Sequence, residues 1–266
     1  MLKYPFVGLD GRVAVVTGAG AGLGRAHAHV LAAAGAAVVL NDADGDAALQ
    51  VASEIESAGG SALVDARPLA SVADGRAVIE AAREWRGSAD VVVNNAGVSR
   101  PAPVADLDDE ALAAHLGVHL LATVGTTAAA LPAMAEAGFG RVVNTVSGHG
   151  LAPANPNSAA YAAAKAAVYG FTRAAALEAP AGVTVNAVAP LAYTAMSEGY
   201  LSGVEGAQER YAPEHVSRVI LWLCSAEAGR VNGRVLRVEG DQLGEYALDA
   251  LELRPFEEVG EWLTSG

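Results

Sequence analysis

The sequence predicts an α/β fold, a single domain built on a doubly wound parallel sheet with helices on both faces. Three observations carry this. Short runs that are apolar at nearly every residue alternate with longer Ala-rich segments, as strands covered on both faces do when crossover helices join them. The first apolar run opens directly into a Gly-rich turn and then an amphipathic segment. No Pro-, Ser- or charge-rich linker and no internal repeat divides the chain.

In chain order, the strand Val13–Val16 feeds the glycine turn and a helix over Gly24–Ala34. The strand Ala37–Asn41 follows, with a helix over Asp44–Ala58. Ala62–Asp65 leads to a helix over Ala73–Trp85, and Asp90–Val93 to one long helix, Asp109–Ala137. Arg141–Val146 precedes the helix Ala159–Ala179, Thr184–Ala189 precedes Pro213–Cys224, and Val235–Val238 closes the sheet. The domain spans 1–266, with a core of about 8–240 and an extension over 241–266.

Composition narrows the function classes. The chain has 266 residues, 52% of them hydrophobic, enough to bury a sizeable core. Seventeen basic against thirty acidic side chains give a net charge of −13, which argues against nucleic-acid and anionic-membrane partners. Lys3 and Lys165 are the only lysines, so backbone N–H groups must do most of the holding of a phosphate-bearing ligand. Cys224 is the single cysteine, which leaves no intrachain disulfide, and no His/Asp/Glu cluster has metal-ligand spacing, so no metal is expected. The N-terminal residues lack the apolar core of a secretory signal, and the stretch Val30–Leu40 is too short to span a bilayer; the expected location is cytoplasmic.

The turn reads Thr17-Gly18-Ala19-Gly20-Ala21-Gly22-Leu23-Gly24. Glycines let backbone N–H groups and a helix N-terminus approach a pyrophosphate that side chains would block. This places Thr17, Gly18, Gly20, Gly22, Leu23 and Gly24 at a dinucleotide. Asp42 ends the second strand, about twenty residues beyond the turn, where a carboxylate accepts from the adenosine ribose hydroxyls and repels a 2′-phosphate. No basic side chain stands at Asn41, Ala43 or in the turn to offset it, so NAD is the expected cofactor. The alternative is that Asp42 only caps the following helix.

Tyr161 and Lys165 are four residues apart on a helix and share one face. An ammonium near a phenol stabilises the phenolate and draws its pKa below the ordinary value of about 10, toward general acid–base use. A chain that otherwise uses arginine keeps a lysine here. Ser147, at the end of the strand Arg141–Val146, lies on the ligand side of a parallel sheet and is placed to donate to a substrate carbonyl oxygen.

The order TGAGAGLG, Asp42, NNAG (Asn94–Gly97), Ser147 and YAAAK resembles the short-chain dehydrogenases/reductases, from about Gly8 to Gly240. The segments AGAGLGRAHA, VVLNDADGD, VVVNNAGVSR and YAPEHVSRVILWLC, with Ser71-Val72, resemble most the (3R)-hydroxyacyl-CoA dehydrogenase units of peroxisomal multifunctional enzymes. The resemblance implies a Rossmann-like fold assembled as dimers or tetramers. It makes Tyr161 the acid/base, Lys165 the holder of the nicotinamide ribose, and Ser147 the group that orients the substrate oxygen. Asn95, Ala96 and Gly97 then support the adenosine side, with Ser71, Val72, Pro190 and Thr194 as further cofactor contacts.

Four departures stand out. His119 replaces the family's catalytic asparagine, either as a relay group or as a core histidine. Ala70 replaces the adenine-binding aspartate, leaving that contact to backbone or Ser71. Pro190-Leu191 replaces Pro-Gly. One extra residue between Ser147 and Tyr161 requires a bulge in Ala152–Asn157. His149 is placed either in the substrate pocket or in the loop alone. Leu248, Leu251, Leu253, Phe256, Val259, Trp262 and Leu263 in the acidic extension either dock on the body or belong to a frayed tail.

The expected function is hydride transfer between nicotinamide and a secondary alcohol or ketone, with 3-hydroxyacyl-CoA-like and steroid-like compounds as candidates. The alternatives are an NAD(H)-binding regulator without turnover and an NADP-dependent ketoreductase.

Overall fold

A computed structural model of the protein describes residues 8–151 and 155–246. Eight strands form one sheet in the order β3-β2-β1-β4-β5-β6-β7-β8. The first seven are β1 Val13–Thr17, β2 Ala37–Asn41, β3 Ser61–Asp65, β4 Val91–Asn94, β5 Gly140–Thr145, β6 Val183–Leu191 and β7 Val235–Glu239, all paired in parallel. β8, Gln242–Glu245, pairs antiparallel with β7. The order reverses between β1 and β4, and the C-terminal ends of those strands flank the crevice where such sheets bind ligands.

The helices are α1 Gly22–Ala33, α2 Gly45–Ser57, α3 Val72–Arg86, α4 Asp109–Leu116, α5 Ala122–Ala137, α6 Ala159–Glu178, α7 Glu198–Leu201, α8 Ala207–Arg210 and α9 Pro213–Leu223. Strand alternation splits the core in two. Ala14 and Val16 of β1 pack on the face that carries α1, α2 and α9, and Val13 and Val15 on the face of α3, α5 and α6. All four are buried, which is why β1 reads as an unbroken apolar run.

Two elements differ from the sequence expectation. The long fourth helix is interrupted by a π-turn, Gly117–Leu121, in which the Ala122 N–H reaches back to the Gly117 carbonyl. The widened turn frees the His119 carbonyl, and the Thr123 hydroxyl donates to it at 2.7 Å. Ala-rich sequence carries no sign of such an insertion. The run Asp109–Ala137 is long and apolar enough to cross a membrane by length and composition. In the fold, however, Gly125 lies so close to α3 that a Cβ there would collide with the Val72 carbonyl. β8 is the second difference: the extension begins as an edge strand, while its apolar residues from Leu248 onward lie outside the described residues.

A buried polar ladder sets the sheet's centre. The Thr126 hydroxyl donates to Asn94 Oδ1 (2.7 Å), Asn94 Nδ2 to Asn144 Oδ1 (2.9 Å), and Asn144 Nδ2 to the Thr172 hydroxyl (2.9 Å). It ties α5, β4, β5 and α6 in one register. Each member would cost about 1–3 kcal/mol if left without its partner in the core.

Candidate active site

The glycine turn is shaped by contacts that exclude side chains. A Cβ on Gly18 would lie 2.9 Å from the Ala96 Cα, and one on Gly20 would lie 3.0 Å from Asp42 Oδ2. One on Gly24 would collide with the Gly18 carbonyl. Gly22, with φ +53, faces the Thr194 side chain across the crevice, where a Cβ would be 3.3 Å from Cγ2. The N-terminus of α1 opens into this cradle, and its geometry fits a pyrophosphate held by backbone donors.

Asp42 does more than end a strand. Its Oδ2 accepts from the Gly20 N–H (2.8 Å) and its Oδ1 from the Asp44 N–H (3.0 Å). Asp44, not Asp42, caps α2, accepting from the Ala47 N–H. The Asp42 carboxylate is therefore fixed against the turn, with lone pairs left for ribose hydroxyls.

The NNAG segment buttresses the cradle from the β4 side. The Thr17 hydroxyl oxygen accepts from the N–H groups of Asn95 and Ala96, both at 3.0 Å, and Asn95 Nδ2 donates to the Thr17 and Gly18 carbonyls. Asn95 thus holds the turn in shape through its side chain. Ser71 is committed elsewhere: its hydroxyl donates to Asp74 Oδ2 at 2.7 Å and caps α3. Only its backbone remains for adenine. Pro190 ends β6 next to Leu191, and Thr194 is held by Ser197, whose hydroxyl accepts from the Thr194 N–H.

On the other side of the crevice, Ser147 stands two residues beyond the end of β5 and starts a short turn, Gly148–Gly150, that lies on α6. Gly150 makes that approach possible, since a Cβ there would lie 2.6 Å from the Ala166 nitrogen. Tyr161 sits in the first turn of α6, and Lys165 one turn later. Lys165 Nζ donates to the Thr145 carbonyl at 2.6 Å and lies 5.8 Å from the Tyr161 ring centre.

The electrostatics differ from expectation. Burial pushes the Tyr161 phenol above its ordinary value, with the Ser147 hydroxyl offsetting part of the rise. Burial also pulls the Lys165 ammonium down to about 7. Desolvation disfavours both charged forms, so in the protein alone the lysine does not produce the depressed tyrosine that the sequence suggests.

His119 lies edge-on to Tyr161, with ring centres 5.4 Å apart. Its Nε2 is 2.9 Å from the Val98 carbonyl and 3.2 Å from the Val98 N–H, and burial holds its pKa at about 3. Its Nδ1 is buried without a partner among the described residues. Gly97 leaves room for this ring, because a Cβ there would strike Cε1. His149 also lies edge-on to Tyr161, with ring centres 6.0 Å apart. Asn157, at φ +64, takes the left-handed turn that the extra residue requires; residues 152–154 of that bulge lie outside the described residues. Sequence reasoning missed Tyr200, close enough to Tyr161 to raise its pKa, and Arg237 of β7.

Comparison with known proteins agrees with this geometry. The sequence profile of the short chain dehydrogenases matches residues 12–202. The peroxisomal hydratase-dehydrogenase-epimerase of Neurospora crassa is 42% identical over 220 residues, 82% of this chain and 24% of that protein. This chain therefore spans only a minor part of that relative's length. Hydroxyacyl-CoA dehydrogenase ChsB1 of Mycobacterium tuberculosis is 40% identical over 252 residues, 88% of this chain and 79% of that protein. A short chain dehydrogenase from Mycobacterium avium superposes with a TM-score of 0.83 at 38% identity, covering 96% of this chain and 94% of that one. A gluconate 5-dehydrogenase from Burkholderia cenocepacia, in complex with NADP and tartrate, gives 0.78 at 31% identity, covering 88% and 95%. Since the matched span runs from the glycine turn through Ser147, Tyr161 and Lys165, this chain belongs to the short chain dehydrogenase family, with the fold and the nicotinamide crevice of its oxidoreductases.

Proposed function

We propose that this protein is an NAD(H)-dependent oxidoreductase that interconverts a secondary alcohol and its ketone, with Tyr161 as the proton-transfer residue. One observation carries the reading: the half-buried Tyr161 side chain stands beside Ser147 and one helical turn before Lys165, across the sheet's reversal point from the glycine cradle. When bound in the crevice, a nicotinamide supplies the hydride acceptor or donor. Ser147 orients the substrate oxygen, and Tyr161 takes the hydroxyl proton as the carbonyl forms or returns it in reduction. Lys165, anchored on Thr145, keeps the face of α6 fixed and offers its amine to a ribose. His119 stays neutral and walls the ring of Tyr161 from behind.

The preference for NAD rests on Asp42, whose carboxylate is pinned at the turn with no basic side chain at Asn41 or Ala43. The Burkholderia neighbour is in complex with NADP, so the fold alone does not exclude that cofactor and the preference rests on the local charge. The similarity to a hydroxyacyl-CoA dehydrogenase and to a peroxisomal hydratase-dehydrogenase-epimerase favours a 3-hydroxyacyl thioester among the alcohols. Exposed Leu112, Leu121 and Leu177 on the segments α4–α5 and α6 support a homo-oligomer closed by these helices. The test is a panel of secondary alcohols and 3-hydroxyacyl thioesters with NAD, read as NADH absorbance. Turnover of none would refute the reading.

A further inference from the structure

Gly148, the residue after Ser147, has no backbone reason to be glycine, because it is not among the positive-φ glycines. Its reason is space. A Cβ there would lie 3.0 Å from the Tyr246 hydroxyl and 3.6 Å from Arg237 Nη1. Alternation along β7 explains how the guanidinium arrives. Leu236 and Val238 pack with the α1–α9 core, whereas Val235 belongs to the cluster of Val146, Val168 and Tyr169. Arg237 shares the Val235 face, two residues on, and so rises toward the Ser147 turn.

The guanidinium is committed on one edge only. Nη2 donates to Glu239 Oε2 at 3.0 Å, and the two side chains are 29% and 42% exposed. Glu239 is the one carboxylate within ion-pair distance among the described residues. A pair this exposed contributes about 0–1 kcal/mol, too little to withdraw the cation from a second anion. Nη1, on the other limb of the fork, is the atom aimed at Gly148. The charge is felt further in: it draws the Tyr200 phenol downward against burial, and Tyr200 in turn bears on Tyr161. In a chain of net charge −13, this places a half-buried cation next to the turn that carries Ser147.

We propose that Arg237 is a specificity-determining residue that seats a carboxylate carried a few bonds from the reacting carbinol, so that the preferred substrates are hydroxy acids or hydroxyacyl compounds with a second carboxylate. The proposal rests on the oxidoreductase reading of the same site and names its substrate class. The position decides against the phosphates of a coenzyme A thioester, because a whole pantetheine arm separates those from the acyl carbon. Arginine suits a carboxylate through its planar fork, and the missing side chain at Gly148 lets the guanidinium and the Tyr246 hydroxyl come up against the turn that carries Ser147.

The experiment is calorimetric titration of the NADH-loaded protein with 3-hydroxybutyrate and 4-hydroxycyclohexanecarboxylate, each beside its neutral methyl ester. Affinity is read as the acid-to-ester ratio within each variant, so that a general loosening of the site cancels. The wild-type ratio is expected to exceed tenfold for at least one pair and to fall to about one in Arg237→Met and Arg237→Gln. Arg237→Lys, which keeps the charge without the fork, is expected to retain part of it. A wild-type ratio near one for both pairs, or a preference that survives loss of the guanidinium, overturns the proposal. Turnover with NAD is scored separately. Acid preference without oxidation of any alcohol would contradict the oxidoreductase reading alone, and oxidation of acid and ester at equal efficiency would contradict the Arg237 assignment alone.

Discussion

Lys165 donates to the Thr145 carbonyl at 2.6 Å, so the amine is anchored on β5, with its nitrogen 5.8 Å from the centre of the Tyr161 ring. The bond joins the end of β5, two residues before Ser147, to the helix that carries Tyr161. It ties together the two segments that carry the groups proposed to meet one substrate oxygen. It also gives the amine of a lysine at 3% exposure a hydrogen-bond partner in the core.

The first prediction follows from that burial. Folded Lys165 sheds its proton near pH 7, whereas in the unfolded chain it keeps it to about 10.5. Between those values the unfolded state binds more protons, so stability rises with pH by about 1.4 kcal/mol per unit per proton. Urea denaturation of the cofactor-free protein at pH 7, 8.5 and 10 should show this rise in wild type and a shallower one in Lys165→Met. Identical slopes would show that the lysine is charged in the folded protein.

His27 gives the opposite flank. It is buried between α1 and α9, bonded through Nδ1 to the Ser217 hydroxyl at 2.8 Å, and burial lowers its pKa to about 3. Between about 3 and 6.5 the unfolded chain again binds the extra proton, so stability falls as pH falls through that window. His119 adds a second proton of the same kind. His27→Asn should therefore lose stability less steeply from pH 6.5 to 4, with part of the slope remaining. Thermal melts across that range check it, and an unchanged slope would remove His27 from the account.

Cofactor choice turns on Asp42. Calorimetry should show tighter binding of NADH than of NADPH, and Asp42→Ala should narrow the gap. Because the carboxylate also holds the Gly20 N–H, the variant is expected to bind NADH more weakly as well. Equal affinity of the wild type for both cofactors would contradict the assignment.

The exposed leucines on α4–α5 and α6 predict self-association. Light scattering at micromolar concentration should give a dimer or tetramer, and Leu177→Glu, at a residue 90% exposed in the single chain, should weaken it without unfolding the subunit. A monomeric wild type would leave these leucines without a role.

The sheet was legible because both faces of β1, β2 and β4 are buried, which favours nearly unbroken apolar runs. The glycine cradle was legible because its contacts forbid side chains, and a forbidden side chain leaves its mark as Gly. The π-turn at Gly117–Leu121 was not: it is accompanied by a Thr123 hydroxyl bond to the His119 carbonyl and by the close approach of Gly117 to Ala70, and the tertiary contact has no local signature. The Asn94–Asn144 ladder joins residues fifty apart, and Arg237 of β7 meets Gly148 after β5 across the one strand, β6, that lies between them. Neither meeting has a local signature. The tyrosine's electrostatics were misjudged for the same reason: residue spacing shows that a lysine is near but not how dry its surroundings are.

The central claim is that the Tyr161 hydroxyl carries the proton, and Tyr161→Phe tests it most directly. The substitution removes one oxygen and keeps the ring against His119 and His149, so the fold and NADH affinity should persist. Positioned acid–base groups contribute about 100- to 10,000-fold, and steady-state turnover of any oxidised alcohol should fall by that factor. In wild type the oxidation rate should rise with pH toward the tyrosine's titration. Without cofactor, that titration should lie above the ordinary value of about 10, read as the ultraviolet difference between wild type and variant. A Tyr161→Phe protein that binds NADH and still turns over near the wild-type rate would contradict the account.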